Sequence, residues 1–206
     1  QALNLARQIT YEEGEATSLN NLGVAAWVQG DFSNSLDLYF ASINLRERIG
    51  GELGLGNTYH NIGNIYRSTN KFNEAIIWFE KALEIRYKIN DELGISYSKN
   101  NLGLIAKMQG DYQKALKYLN EALIIRQKIN NKRGVATSLQ SIGELYLESN
   151  DLQKAQDHLN EALSIWNSIN HLQGQAMTNI ILSEVEIKKG DLNESLHKSS
   201  LALEIA

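Results

Sequence analysis

The chain has 206 residues, 43% hydrophobic and 21% charged, with a formal charge of −4 and a pI near 5.6. That is long and apolar enough for a packed core and outside the disordered class, and the acidic balance argues against a phosphate-backbone binder. With no Cys there is no disulfide framework, thiolate nucleophile or zinc–thiolate site; with no Pro, and apolar residues dominated by Leu, Ile and Ala, the fold class reads as all-α.

Residues 1–13, "QALNLARQITYEE", lack the charged-then-apolar order of a signal peptide, and no window approaches the roughly 18 apolar residues of a membrane span. A cytoplasmic location is therefore expected. The same stretch aligns with the later "KALEIRYKINDEL" and reads as the tail of a copy cut off upstream. Gly14, Gly54, Gly94, Gly134 and Gly174 then recur at intervals of 40 residues, the mark of a repeat architecture. The copies run 14–53, 54–93, 94–133, 134–173 and 174–206, one array over 1–206. Apolar spacings of three and four predict two helices per copy. First helices fall at 14–29, 53–69, 93–109, 133–149 and 173–189, and second helices at 32–49, 72–89, 112–129, 152–169 and 192–205.

The punctuation agrees with that division. Gly30, Asn70, Gly110, Asn150 and Gly190 separate the halves, and Gly50, Asn90, Asn130 and Asn170 close the second helices; all tolerate the left-handed conformation that ends a helix. Asp31, Asp111, Asp151 and Asp191 stand where an N-cap is needed. Small residues recur at Gly23, Gly63, Gly103, Gly143 and Ser183 in the first helices, and at Ser35, Ala75, Ala115, Ala155 and Ser195 in the second. Only a minimal side chain lets two helix backbones approach closely, which is why glycine persists despite its poor helix propensity. Large apolar columns, Leu22, Ile62, Leu102, Ile142 and Leu182, then Phe32, Phe72, Tyr112 and Leu152, are expected to fill the remaining contacts.

The run "NIGNIYRSTNKFNEAIIWFEKAL", with Ile-Gly, Tyr, Ala, an aromatic and Ala-Leu in order, resembles the tetratricopeptide repeat, and the likeness covers nearly the whole chain. The commonest form of that repeat has 34 residues and a Pro closing the second helix; the corresponding positions here are Glu47, Tyr87, Gln127 and Asn167. The longer copies resemble the 40-residue variant of Leu-Gly-Asn repeat proteins and many bacterial signalling proteins. The resemblance implies a right-handed superhelical solenoid of antiparallel helix pairs whose first helices line a concave side.

On the first helices the arc left over by packing carries Thr17, Asn20, Asn21, Val24 and Trp27; Asn57, His60, Asn61, Asn64 and Arg67; Tyr97, Asn100, Asn101, Leu104 and Lys107; and Thr137, Gln140, Ser141, Glu144 and Leu147. An Asn amide both donates and accepts, so it can bond the main chain of an extended peptide whatever that peptide's side chains. Asn21, Asn61 and Asn101 form one column, and peptide-binding members of the family use Asn in the matching position, so the resemblance implies the same role here. These amides can equally bond a neighbouring helix terminus or face water. His60, Arg67 and Lys107 offer positive charge to an acidic ligand group, Glu144, Glu184 and Glu186 make the far end acidic, and Trp27, Tyr97 and Leu104 are either apolar anchors or packing residues. A second stripe, Arg46, Arg86 and Arg126 with Arg48, Lys88 and Lys128, sits among Glu52, Glu84, Asp91 and Glu92, and local ion pairs explain it better than bound phosphates.

His60, His158, His171 and His197 have no metal-ligand spacing, no Gly-rich phosphate loop is present, and no Ser stands in a nucleophile pattern. No catalysis, cofactor or metal is therefore expected. The expected function is a protein–protein interaction scaffold that binds a peptide or helical segment of a partner in its groove, with Gln140 and Glu144 at one end of the contact row; nucleic acid and membrane are not expected partners. The alternative is a regulatory array controlling an adjoining effector domain of the same chain. Self-association through uncapped terminal repeats, with the last pair ending at Ala206, is a further possibility.

Overall fold

The structure, a computed structural model, describes residues 1–205. The expectation attached to Ala206 lies outside the described residues. Among those residues there are eleven α-helices and no strand. In chain order they are α1 (Ala2–Gln8), α2 (Glu12–Val28), α3 (Phe32–Ile49), α4 (Glu52–Ser68), α5 (Phe72–Lys88), α6 (Glu92–Met108), α7 (Tyr112–Lys128), α8 (Lys132–Glu148), α9 (Leu152–Ser168), α10 (Leu172–Lys189) and α11 (Leu192–Ile205). The first helices of the copies are α2, α4, α6, α8 and α10, and every boundary falls within two residues of its predicted place. The fold is an all-α solenoid of helical hairpins, and the chain forms two units, residues 1–98 and 99–206.

The turn columns behave as their residue types dictate. Asn70, Asn90, Asn130, Asn150 and Asn170 have φ between 51° and 63°, and Gly30, Gly50, Gly110 and Gly190 between 77° and 86°. Thr10 joins the column at φ 52°, a position the sequence did not mark because Thr tolerates this region less readily than Asn. The carboxylates of Asp31, Asp111, Asp151 and Asp191 accept from the backbone N–H groups of Asn34, Lys114, Lys154 and Glu194 at 3.0–3.2 Å. The first helices are capped as well: Asp91, Asn131 and His171 accept from Gly94, Gly134 and Gly174 at 2.9–3.0 Å.

The glycine column lies where the two helices of a hairpin meet. A Cβ built on Gly63 would stand 2.8 Å from Phe79 Cε1, and one on Gly143 2.7 Å from Leu159 Cγ and 3.3 Å from the Ala155 carbonyl oxygen. In the first unit Tyr39, Ile43, Leu55, Ile62 and Ile65 form a buried cluster; in the second, Leu147, Ala155, Leu159, Ile181, Leu182 and Val185 form another. Two packing expectations need correcting. Leu22 is 44% exposed, because it lines an open cleft between α1 and α2 instead of a closed contact. The column Phe32, Phe72, Tyr112 and Leu152 lies at the second-helix N-termini, where Phe32 and Tyr112 are exposed and Phe72 and Leu152 partly buried, and the aromatic and aliphatic core column is Tyr39, Phe79, Leu119 and Leu159, all at most 1% exposed. Seven residues, about two turns, separate the two columns, so both lie near one face, but only the later one is far enough along the helix to meet the small-residue column.

Candidate functional site

In the first unit the non-packing arc of α2 and α4 is built from amides held in different ways. Asn20 Oδ1 accepts from Asn61 Nδ2 at 3.2 Å and from Thr58 Oγ1 at 3.1 Å, which ties α4 to α2 and fixes Asn61 one repeat along. Asn21 is exposed and makes no hydrogen bond to another described residue. It opens onto a cleft of about 470 Å³ lined also by Thr17, Asn20 and Asn57, with Glu13 and Arg46 at its edge. Asn64, one turn beyond Asn61 on α4, is partly buried and likewise makes no hydrogen bond among the described residues. Trp27 packs on the Tyr39–Ile65 cluster, so it acts as a packing residue, whereas Tyr97 is 43% exposed.

His60 does not provide the positive charge expected of it. Arg86 Nη1 lies 3.2 Å from His60 Nδ1 and Ser98 Oγ 3.5 Å away, while the ring meets Phe79 edge-on at 5.2 Å. A guanidinium can only donate, so Nδ1 is the acceptor and the ring is neutral. Burial first, then the charges of Arg86 and Arg67, lower its pKa from 6.5 to about 3.

Arg67 is the cation of this face. Its Nε is buried and has no hydrogen-bond partner among the described residues, and burial alone lowers its pKa.

In the second unit Asn100 is turned inward: it is buried, and its Oδ1 accepts from Arg126 Nη1 at 3.0 Å, so it is a structural amide. Asn101 is partly buried and engaged in a polar contact. Lys107 Nζ lies 3.2 Å from Glu144 and 3.1 Å from Glu148; burial alone would depress this ammonium, but the two carboxylates outweigh it and raise its pKa. Gln140 donates to Glu144 at 3.1 Å and accepts from Thr178 at 3.2 Å. Lys107, Gln140 and Glu144 thus form an internally satisfied polar chain. Leu147 belongs to the core and not to the open arc, and Glu186 is buried where Gln156 Nε2 donates to it at 2.6 Å, which removes it from the expected acidic end of the groove.

The arginine stripe is where the sequence misleads most. Arg46, Arg86 and Arg126 are 2–5% exposed. Arg86 donates to the Gly94 carbonyl at 2.9 Å, Ser98 Oγ at 2.6 Å and Asn57 Oδ1 at 3.1 Å. Arg126 repeats the pattern on the Gly134 carbonyl at 3.1 Å and Ser138 at 2.7 Å. Each staples the end of a second helix to the first turns of the helix that follows. Arg46 turns instead to Glu13 at 2.8 Å and Thr17 at 3.1 Å, and Trp166 fills the same column against Gly174. The readable signal was the hydroxyl column Thr58, Ser98, Ser138 and Thr178, in register with the arginines. The local ion pairs expected of the stripe do form, Arg48 with Glu12, Lys88 with Glu52, Arg46 with Glu13 and Arg86 Nε with Asp91 at 3.6 Å. Among the described residues no His, Asp or Glu cluster is arranged to hold a metal ion, and no helix is long and apolar enough to cross a membrane.

A family model described as tetratricopeptide repeat matches residues 14–88 and 94–168. No curated protein matches the chain. Among solved structures, BtubC (BKLC) from P. vanneervenii superposes with a TM-score of 0.86 at 22% identity, covering 99% of this chain and 86% of that one. A Rap protein complexed with Competence and Sporulation Factor gives 0.81 at 16% identity over 95% of this chain, and aspartyl phosphate phosphatase F from Bacillus subtilis 0.83 at 11% over 98%. The chain spans 54% of each of these last two. At such identities the likeness concerns the fold.

Proposed function

Because the chain belongs to the tetratricopeptide repeat family, we propose that it is a non-enzymatic recognition module that holds a linear segment of a partner protein against the first-helix face of its repeats. The observation that carries this reading is the amide row of the first unit. Asn21, which lines an open cleft, and Asn64 have no hydrogen-bond partner among the described residues, and Asn61 is held in place by Asn20. An unsatisfied amide at a partly dry surface favours a ligand that both donates and accepts, and a peptide main chain does so at every residue. That a protein of similar fold is known in complex with a factor named for competence and sporulation supports a ligand-holding role without identifying the ligand here.

The expected affinity for a linear peptide is micromolar, about −8 kcal/mol. Peptides selected from a random linear pool on the immobilised chain provide the test. With Asn21 and Asn61 both changed to Ala, a selected peptide loses roughly 1–3 kcal/mol of binding while far-ultraviolet circular dichroism is unaltered. Unchanged affinity in that variant would reject the amide row.

A further inference from the structure

On the second helices of the first unit, two exposed positions depart from their columns. Where the other second helices carry Glu80, Asn120, Asn160 and Ser200, α3 has Phe40; where they carry Asp37, Lys117, Asp157 and His197, α5 has Ile77. Phe40 is 38% and Ile77 52% exposed. The fold accepts polar side chains at both places, so its own packing does not call for apolar ones. The two are also joined by rings. Phe40 meets Trp78 at 5.7 Å and Trp78 meets Tyr59 of α4 at 5.5 Å, which makes an aromatic strip from α3 to α5 with Ile77 beside it. Single exposed apolar residues are ordinary, whereas a joined group of them marks a contact surface.

Seven residues after each apolar position stands a carboxylate, Glu47 after Phe40 and Glu84 after Ile77, two turns or about 10 Å along the helix. The Tyr59 hydroxyl donates to Glu47 at 3.2 Å, and burial first, then Glu47 and Glu84, push its pKa up to about 12, so both acids lie close to one ring. Neither forms an ion pair with a described residue. Lys81, between Ile77 and Glu84 in α5, is taken up by the rings instead: its ammonium stands 4.4 Å from the Trp78 centroid and 5.9 Å from that of Tyr59. An apolar centre rich in aromatics with charge at its edge is the anatomy of a protein interface, and the uncompensated acids set the sign of what fits it. We propose that α3 and α5 form a docking surface for a basic amphipathic helix of a partner protein, whose apolar side chains settle on Phe40, Trp78 and Ile77 and whose Lys or Arg two turns on pairs with Glu47 and Glu84. A helix brings residues i and i+7 to one face, which matches the two-turn spacing of this surface. A second copy of the chain, with a net charge of −4, matches it less well. The surface stands apart from the amide row of the first helices and does not depend on it.

A displayed library of amphipathic helices tests this, with Leu, Ile, Phe or Ala at position i and Lys, Arg, Gln or Glu at i+7. It is panned on the intact chain and counter-panned on the Phe40→Ser, Ile77→Ser double variant, and the peptides retained only by the parent are sequenced. They are expected to carry Lys or Arg at i+7. For such a peptide, Glu47→Gln with Glu84→Gln is expected to weaken binding roughly three- to tenfold, added salt to do likewise, and Asn21→Ala with Asn61→Ala to leave it unaltered. Should the serine variant lower helicity, changing the peptide's Lys to Gln measures the same contact on the unaltered protein and is expected to give a similar loss. Peptides with Gln or Glu at i+7 as often as Lys or Arg, or no peptide specific to the parent, overturn the basic-helix surface and leave the amide row standing. A dimer in sedimentation that Phe40→Ser abolishes would assign the surface to a second copy and overturn the partner.

Discussion

Gly143 and Gly56 are both helix-interior glycines, yet they should respond oppositely to a methyl group. At Gly143 the new Cβ would fall 2.7 Å from Leu159 Cγ, a branch point that cannot swing aside, and 3.3 Å from a backbone oxygen. Forcing α8 and α9 apart costs roughly 1–3 kcal/mol, more than the roughly 1 kcal/mol that Ala gains in helix propensity. At Gly56 the nearest atoms, Arg86 Cγ and Ile85 Cγ2, lie 3.5 Å away in ordinary contact, so propensity prevails. Gly143→Ala is expected to lower the urea midpoint and Gly56→Ala to raise it by the equivalent of about 0.5–1 kcal/mol. His60 is a residue of the same kind, set by its surroundings. Its folded pKa of about 3 lies below its ordinary 6.5, so between those values the unfolded chain binds the proton more readily. Stability from this residue is complete above pH 6.5 and declines as the pH falls toward 3, with a slope of at most roughly 1.4 kcal/mol per pH unit. Urea midpoints measured across that range should fall less steeply for His60→Gln than for the parent chain; parallel slopes would show that the ring is protonated in the fold.

At the level of the helix and its connections, the staple formed by Arg126 is the most sensitive point. Removing its side chain leaves the Gly134 carbonyl, Ser138 Oγ and Asn100 Oδ1 without their donor inside the α7–α8 contact. Arg126→Ala is expected to cost roughly 2–4 kcal/mol, and Arg126→Lys to recover little, since one ammonium on a flexible stem cannot reproduce the fork. The turns are sensitive for a different reason. Asn90 holds φ 55°, so Asn90→Ala costs about 1 kcal/mol whereas Asn90→Gly is near neutral, a contrast that thermal melts resolve. Turn columns were legible because their conformational demand is local: Asn and Gly are the types that accept positive φ. The staple was not, because a stripe of arginines looks the same whether it faces water or a helix end. Its burial depends on a backbone carbonyl eight residues and a hydroxyl twelve residues further on, as for Arg86 with Gly94 and Ser98. The same non-local dependence hid the neutrality of His60 and the inward turn of Asn100, while the amide arc itself could be read from helical spacing alone.

Across the whole molecule, repetition fixes how stability is distributed, since a helical hairpin in an array is stabilised chiefly by its immediate neighbours. Within the first unit, α4 and α5 contribute fully buried side chains such as Ile62 and Phe79, and within the second, α8 and α9 contribute Ile142 and Leu159. The outer helices are poorer. α1 packs on α2 with Ala6 as its buried residue, and α11 packs on α10 while Leu192, Leu196 and Leu203 stay 69–79% exposed. Opening α1 or α11 therefore exposes little apolar surface beyond what is already wet, and its free energy lies well below that of opening a central hairpin. Amide hydrogen exchange read by mass spectrometry should show α1 and α11 exchanging first, then α2 and α10, with α4, α5, α8 and α9 slowest. Gly143→Ala should accelerate exchange in α8 and α9 before it does so in α4. Uniform protection from α1 to α11, or an equal response of α4 and α8 to that substitution, would mean that the chain opens as one cooperative body and that neighbour-by-neighbour stabilisation does not govern it.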